Sequence, residues 1–144
     1  MEKIKVSGKV KEYMIVNEKD EELGVIRVNV TDFEFFNRVK QAEVHIMDVV
    51  NRFKELHGQQ MKTEEMFAKL SELDKEVKEQ LNYMFDYDVS SVVFGNTNCL
   101  SIGDGLPFVT RFLQSIIPAI KRDLEKESRQ SRQKMSKYTK RYHK

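Results

Sequence analysis

Two stretches of apolar residues at three- and four-residue steps constrain the fold of this chain more than any other feature. The first runs from Phe35 to Leu56 and the second from Met66 to Phe85. Steps of this size place apolar side chains on one face of an α-helix, so they predict two amphipathic helices. Glu and Lys occupy the outer face of the second stretch, which favours a solvated, antiparallel helical pair. The second set consists of Met66, Phe67, Leu70, Leu73, Val77, Leu81, Met84 and Phe85.

Local signals mark the ends of these two helices. Thr31 and Glu34 fit a capping box, in which a hydroxyl and a carboxylate satisfy backbone N–H groups at a helix start. Thr63 stands three residues before Met66, and Gly58 is well placed to end the first helix. We therefore expect a first helix over about residues 31–57 and a second from residue 63 onwards.

Two shorter segments near the N-terminus have the composition of β-strands. Residues 10–16 and 25–30 are rich in β-branched side chains and partly alternate, and the polar residues 17–24 between them end in Gly24. This pattern predicts a hairpin with a longish loop. Two strands alone are marginally stable, so we expect a helix to cover one face or a second chain to extend the sheet. An exposed strand edge is a plausible assembly surface, which could pair with a copy of itself in a homo-oligomer or with another protein.

A third helix is predicted after an irregular connector that contains three glycines, residues 86–106. Pro107 suits the first turn of a helix, and apolar residues then recur from Phe108 to Leu124. Pro118 removes a backbone hydrogen bond, so we expect a kink or break near residues 115–118. The apolar face could dock a partner helix or could belong to the core. Its candidate partner-binding residues are Phe108, Phe112 and Ile116.

Composition places the chain among soluble globular proteins. It has 144 residues, 40% hydrophobic and 33% charged, which suits one domain that buries a core. The apolar runs are too short to span a bilayer, and the N-terminus lacks the apolar segment of a signal peptide. Cys99 is the only cysteine, in agreement with a reducing compartment. We therefore expect a cytoplasmic protein with no membrane contact.

Charge divides the chain into an acidic body and a basic tail. Residues 125–144 contain eight Lys/Arg and two Glu, whereas residues 1–124 contain 17 Lys/Arg and 21 Asp/Glu. We interpret residues 1–124 as a single globular domain and residues 125–144 as a tail, which is either a solvated helical extension or disordered. The tail could dock on an acidic protein, bind nucleic acid or have no specific role. Its candidate contact residues are Lys134, Lys137, Tyr138, Lys140, Arg141 and Tyr142.

Motifs for catalysis, cofactors and metals are weak. Neither nucleotide-binding glycine pattern is present, and a calcium loop that starts at Asp86 would lack its glycine and its final glutamate. Cys99 would need a histidine nearby to act as a nucleophile, and the three histidines are His45, His57 and His143. These histidines have no zinc-binding spacing. We therefore predict no enzyme activity, no cofactor and no metal site.

Five short segments in the connector, in the third helix and near the C-terminus carry a recognisable pattern, at residues 94–95, 98–100, 104–109, 112–113 and 137–142. In these segments the chain resembles small proteins of phages and prophages from Gram-positive bacteria. The resembling proteins look like tail-assembly chaperones or other tail-module components, and no catalytic motif belongs to the pattern. The resemblance implies a protein that binds the tape-measure or tail-tube protein in the host cytoplasm. It covers the chain from about Phe33 onwards.

Together these patterns predict an α+β fold, with an N-terminal β-hairpin packed on a bundle of three main helices and a basic C-terminal tail. The predicted function is non-catalytic binding in phage tail assembly. The alternative function is nucleic-acid binding through the tail.

Overall fold

The computed structural model has the predicted α+β fold. It describes residues 1–6, 8–57, 59–60 and 62–142, with the backbone alone at residues 57, 138 and 140–142. A hairpin precedes three long helices, and a short helix and a small second hairpin lie between the last two. In chain order the elements are β1 (Val10–Val16), β2 (Glu22–Asn29), α1 (Glu34–His57), α2 (Thr63–Phe85), α3 (Ser90–Phe94), β3 (Ile102–Gly103), β4 (Leu106–Pro107) and α4 (Phe108–Tyr142).

The β1–β2 hairpin packs on the helices through one face. Tyr13 pairs with Ile26, and Lys11 pairs with Val28. Ile26 and Val28 are buried, whereas the residues that alternate with them are exposed, as expected for a sheet with one covered face. The loop is shorter than predicted, because β2 begins at Glu22 and not at residue 25. Within the turn, the Asn17 side chain accepts hydrogen bonds from the backbone N–H groups of Lys19 and Glu21.

Helices α1 and α2 form the predicted antiparallel pair. Arg38 Nε donates to the Met84 carbonyl at 3.2 Å near one end, and Arg52 bonds Glu76 at 3.0 Å nearer the other. Their facing sides form much of the core, together with residues from the hairpin, the connector and α4. No helix in the described part of the chain is both long and apolar enough to cross a membrane.

Two details of the helix pair differ from the sequence prediction. The Thr31–Glu34 capping box is wrong, because the Asp32 carboxylate accepts the Glu34 N–H at 3.0 Å and the Thr31 hydroxyl donates to Asn29. Phe67 does not join the core, since 63% of its surface is exposed. The predicted C-terminal stop at Gly58 lies outside the described residues, and α1 ends at His57.

Helix α4 is the longest element, with 35 residues. It runs unbroken through Pro118, so the predicted break is absent, and a kink there stays a prediction. Of the two alternatives for the tail, the structure has the helical one, since α4 continues to Tyr142. Residues 125–142 therefore extend the same helix that contributes Phe112 and Ile120 to the core. The assignment of residues 125–144 as a tail separate from the domain stays a prediction.

Candidate partner-binding surface

The connector residues singled out for chemistry have structural contacts. Cys99 is fully buried, and its backbone N–H donates to Asp74 Oδ1 at 2.7 Å. Burial, reinforced by Asp74, raises the pKa of the Cys99 thiol, which disfavours the nucleophilic thiolate. Lys78 pairs with Asp74 at 3.0 Å and also donates to the Thr97 carbonyl. These contacts attach the connector to α2.

The acidic residues of the failed calcium motif also support the backbone. Asp86 ends α2 in the left-handed conformation, and Asp88 accepts hydrogen bonds from Ser90 and Ser91 at the start of α3. Asp104 is exposed and has a φ of 53°, in the turn between β3 and β4. Among the described residues, no three His, Cys, Asp or Glu side chains are grouped so that they could hold a metal ion.

The predicted docking residues of the third helix lie mainly in the core. Phe112 is 7% exposed and Ile116 is 5% exposed. Phe108 packs edge-on against Phe94, with ring centroids 4.7 Å apart, and is half-buried. Phe85 at the end of α2 and Phe94 of the connector pack against this face of α4, and the core alternative is the one that the structure has.

A cluster of three side chains holds the middle of α4 against the hairpin. The Tyr13 hydroxyl donates to Asp123 Oδ2 at 2.7 Å, and Lys11 Nζ lies 2.9 Å from Asp123 Oδ1. These two contacts lower the pKa of Asp123, which is charged although it is almost fully buried. Burial and the neighbouring carboxylate raise the pKa of Tyr13. Sequence analysis missed this cluster, because its members are 110 residues apart and belong to no recognisable motif.

Beyond this cluster α4 projects from the body as a basic helical segment, residues 129–142, which we call the basic arm. Every side chain described between residues 129 and 139 is exposed. The arm contains six Lys/Arg and no carboxylate, and it extends about 20 Å at 1.5 Å per residue. None of its described cationic side chains forms an ion pair. They are Arg129, Arg132, Lys134 and Lys137.

On the basic arm, one methionine and two tyrosines fall on the side of α4 that faces the core in its first half. Met135, Tyr138 and Tyr142 follow Leu124 at helical spacing and fall within about 60° of one another around the axis. This is the side on which Ile120 faces the core. Met135 is 68% exposed, so the Met135 side chain on this side of the arm is not covered by the body. Of the predicted contact residues, Lys134 and Lys137 are exposed, and Tyr138, Lys140, Arg141 and Tyr142 continue the helix with side chains that lie outside the described part.

Comparison with protein-family models, with curated proteins and with solved structures found no match for this chain. The likeness to phage tail-module proteins therefore rests on the sequence segments given above.

Proposed function

We propose that this protein is a non-catalytic binding protein in bacteriophage tail assembly, either chaperone-like or a structural component of the tail module. It docks through the basic arm on an acidic surface of the tape-measure or tail-tube protein in the host cytoplasm. The docking mode is supported by the exposed helical arm, whose described cations form no ion pair with any other described residue. The assignment to tail assembly rests on the sequence resemblance.

The arm combines the two features of a helix that lies in a groove of another protein. Lys134 and Lys137 supply charge that attracts an acidic surface over several ångströms. Met135, with the tyrosines at helical spacing from it, supplies an apolar stripe for the contact itself. A charged terminus that only improved solubility would need no such stripe, so the stripe favours protein docking.

Four of the five segments that carry the resemblance lie at the N-terminal end of α4, and the fifth, 137–142, lies in the arm. Phe108 N–H donates to the Ser101 carbonyl and Val109 N–H to the Cys99 carbonyl, both at 2.8 Å. Phe94 and Leu100 are buried beside them. These residues hold the N-terminal end of the helix whose other end is the arm. The resemblance and the arm therefore belong to one structural unit, which supports reading them together.

Affinity capture from phage-infected or prophage-induced cells tests the proposal. The baits are the full chain, a truncation after Ser128 and a Lys134→Ala/Lys137→Ala variant, with bound proteins and nucleic acids both identified. A Lys69→Ala/Lys75→Ala variant is the matched control, because it removes the same charge from exposed positions of α2. We expect tape-measure or tail-tube protein with the full chain and the control, and little with the other two. Native capture of no tail protein by the full chain would contradict the proposal.

Nucleic-acid binding is the second candidate, because the same arm places six cations beside two tyrosines. If each cation neutralises one phosphate of a single strand, the logarithm of the binding constant falls with the logarithm of salt with a slope of about −4. A fluorescence titration of the full chain with labelled single-stranded DNA or RNA at several salt concentrations measures that slope. Nucleic acid captured without tail protein, with a slope of this size, favours this function.

A further inference from the structure

The outer edge of β1 is an open strand edge. Arg27 N–H donates to the Tyr87 hydroxyl at 2.6 Å, so the backbone groups of Arg27 point away from β1. In an antiparallel pair, two facing residues point their N–H and C=O groups either towards each other or both away from each other. Glu12 is the partner of Arg27, so its N–H and C=O point away from β2. Met14, two residues on, does the same. Tyr87 covers the β2 edge, whereas no described group outside the hairpin hydrogen-bonds the backbone of Glu12 or Met14.

The side chains along this edge do little to prevent pairing. Val10 is 58% exposed, Met14 47% and Val16 46%, and all three lie on the uncovered face of the hairpin. Glu12 is the one charged residue of β1 on that face, since Lys11 points to the covered face and pairs with Asp123. Edge strands that avoid association are usually shielded by several charges, by proline or by a covering segment. The β1 edge has no proline and no covering segment in the described part of the chain, and a single charge on its uncovered face, which makes it suited to accept another strand.

The two ends of β1 carry opposite charge. The segment before it, residues 3–9, contains Lys3, Lys5 and Lys9, and its described residues are exposed. We call this the lysine segment. The turn after β1, residues 18–22, contains four carboxylates and one lysine and is also exposed. We call this the acidic turn. An antiparallel copy of β1 would therefore lie with its lysine segment beside the acidic turn of the first copy, and its acidic turn beside the first lysine segment.

We propose that β1 pairs antiparallel with β1 of a second copy of this chain, in a two-fold dimer with a four-stranded sheet of order β2–β1–β1–β2. Centred on Tyr13, the pairing sets Glu12 opposite Met14 of the second copy and Val10 opposite Val16 of the second copy. The outward N–H and C=O groups of both edges then hydrogen-bond each other. A second copy fits this edge because a strand with opposite charges at its ends is complementary to its own antiparallel copy. The basic arm takes no part in the interface, so arm docking can fail while the dimer forms.

Charge reversal tests the pairing in the full chain by sedimentation velocity. One variant is Lys3→Glu/Lys5→Glu/Lys9→Glu. The other is Glu18→Lys/Glu21→Lys/Glu22→Lys, which spares Asp20 because its φ of 60° disfavours a change there. Each alone should dimerise about tenfold more weakly than the wild type or worse, since like charges then meet at both ends. An equimolar mixture should recover the dimer, because both contacts between unlike variants are again attractive. Glu64→Lys/Glu72→Lys/Glu79→Lys on α2 is the control and should dimerise like the wild type.

A backbone substitution tests the edge itself. Glu12→Pro removes an N–H that points away from β2, so the hairpin keeps its own hydrogen bonds while the two-fold dimer loses two near its centre, one from each copy. We expect a monomer with the circular dichroism spectrum of the wild type. If this variant does not fold, the charge-reversal pair still decides the question. A wild type that stays monomeric at high protein concentration would overturn the proposal, and so would a dimer that neither the charge reversals nor a folded Glu12→Pro variant weakens.

Discussion

The contact between Tyr13 and Asp123 is a sharp test of how the hairpin is held on the helices. The hydroxyl donates to the carboxylate at 2.7 Å, and Asp123 is only 8% exposed. A hydrogen bond to a charged acceptor contributes about 1.5–3 kcal/mol to stability. Tyr13→Phe removes the hydroxyl and keeps the ring. We therefore expect the free energy of unfolding to fall by about 2 kcal/mol at neutral pH.

The size of this loss should depend on pH in a defined direction. The contacts from Tyr13 and Lys11 lower the pKa of Asp123, so the carboxylate stabilises the fold above its unfolded pKa of about 4 and ceases to do so as pH falls through the lower folded pKa. The pKa of Tyr13 is raised, so its contribution is present below about pH 10 and is lost as pH rises beyond that value. The difference in free energy of unfolding between wild type and Tyr13→Phe should therefore be largest near neutral pH and become smaller in acid.

Urea unfolding followed by circular dichroism, at neutral pH and at about pH 3, measures both effects. Tyr83→Phe is the matched control, because the Tyr83 hydroxyl donates to the neutral side chain of Gln41 at an exposed site. It should cost about 1 kcal/mol or less and show no change between the two pH values. Equal losses for the two variants would refute the reasoning, as would a Tyr13→Phe loss that persists unchanged in acid.

Three further predictions concern the packing beneath the candidate surfaces. Gly24→Ala should lower the free energy of unfolding in urea by about 1–3 kcal/mol, because the added Cβ would lie 2.8 Å from Val92 Cγ1 and the φ of Gly24 is +153°. A second change, Val92→Ala, should recover part of this loss. Cys99 should react with a maleimide far more slowly in native protein than in urea, since it is fully buried; equal rates would contradict its burial. Phe112→Ala should cost about 3–5 kcal/mol in urea unfolding, whereas Met135→Ala on the arm should change stability by less than about 0.5 kcal/mol.

The fold followed from the sequence where one periodic signal dominated. Strand alternation before residue 30 and helical spacing over residues 35–56 correctly predicted the hairpin and the first helix. Sequence spacing was less successful at the start of α2. Met66 and Phe67 differ by about 100° around the helix, and apolar character alone does not tell which of the two is covered. Met66 is half-buried, and Phe67 is left in solvent.

The role of the third helix could not be decided from its own sequence. The sequence pattern of an apolar helix face is the same whether that face packs in the core or binds a partner. Phe112 is buried because Phe85 and Phe94 approach it from elements that precede it in the chain, with ring centroids about 6 Å away. The positions of those elements relative to α4 decide between core packing and partner binding, and no local sequence pattern predicts these positions.

The helical form of the basic arm has a local cause that composition conceals. Its residues are too polar to add to a core, but Lys, Arg, Gln and Met are good helix formers. Starting a helix is the unfavourable step, whereas extending one adds a hydrogen bond for each residue fixed. Since α4 is already formed over Phe108 to Leu124, residues 125–142 need only extend it. Packing therefore holds the first half of α4, and helix propensity continues it into solvent.

Strand β1 links the two proposed surfaces, since it forms the open edge and also contacts the helix that ends in the basic arm. Lys11 and Tyr13 point inward from β1 and hold Asp123 of α4, while Glu12 and Met14 alternate with them and turn their backbone groups to the open edge. A change at an inward position therefore disturbs the base of the arm as well as the edge. A change at Glu12 alters the edge and leaves the contacts to Asp123 intact. A substitution within β1 that is meant to weaken the dimer and spare the arm must accordingly avoid Lys11 and Tyr13, because these two side chains hold Asp123.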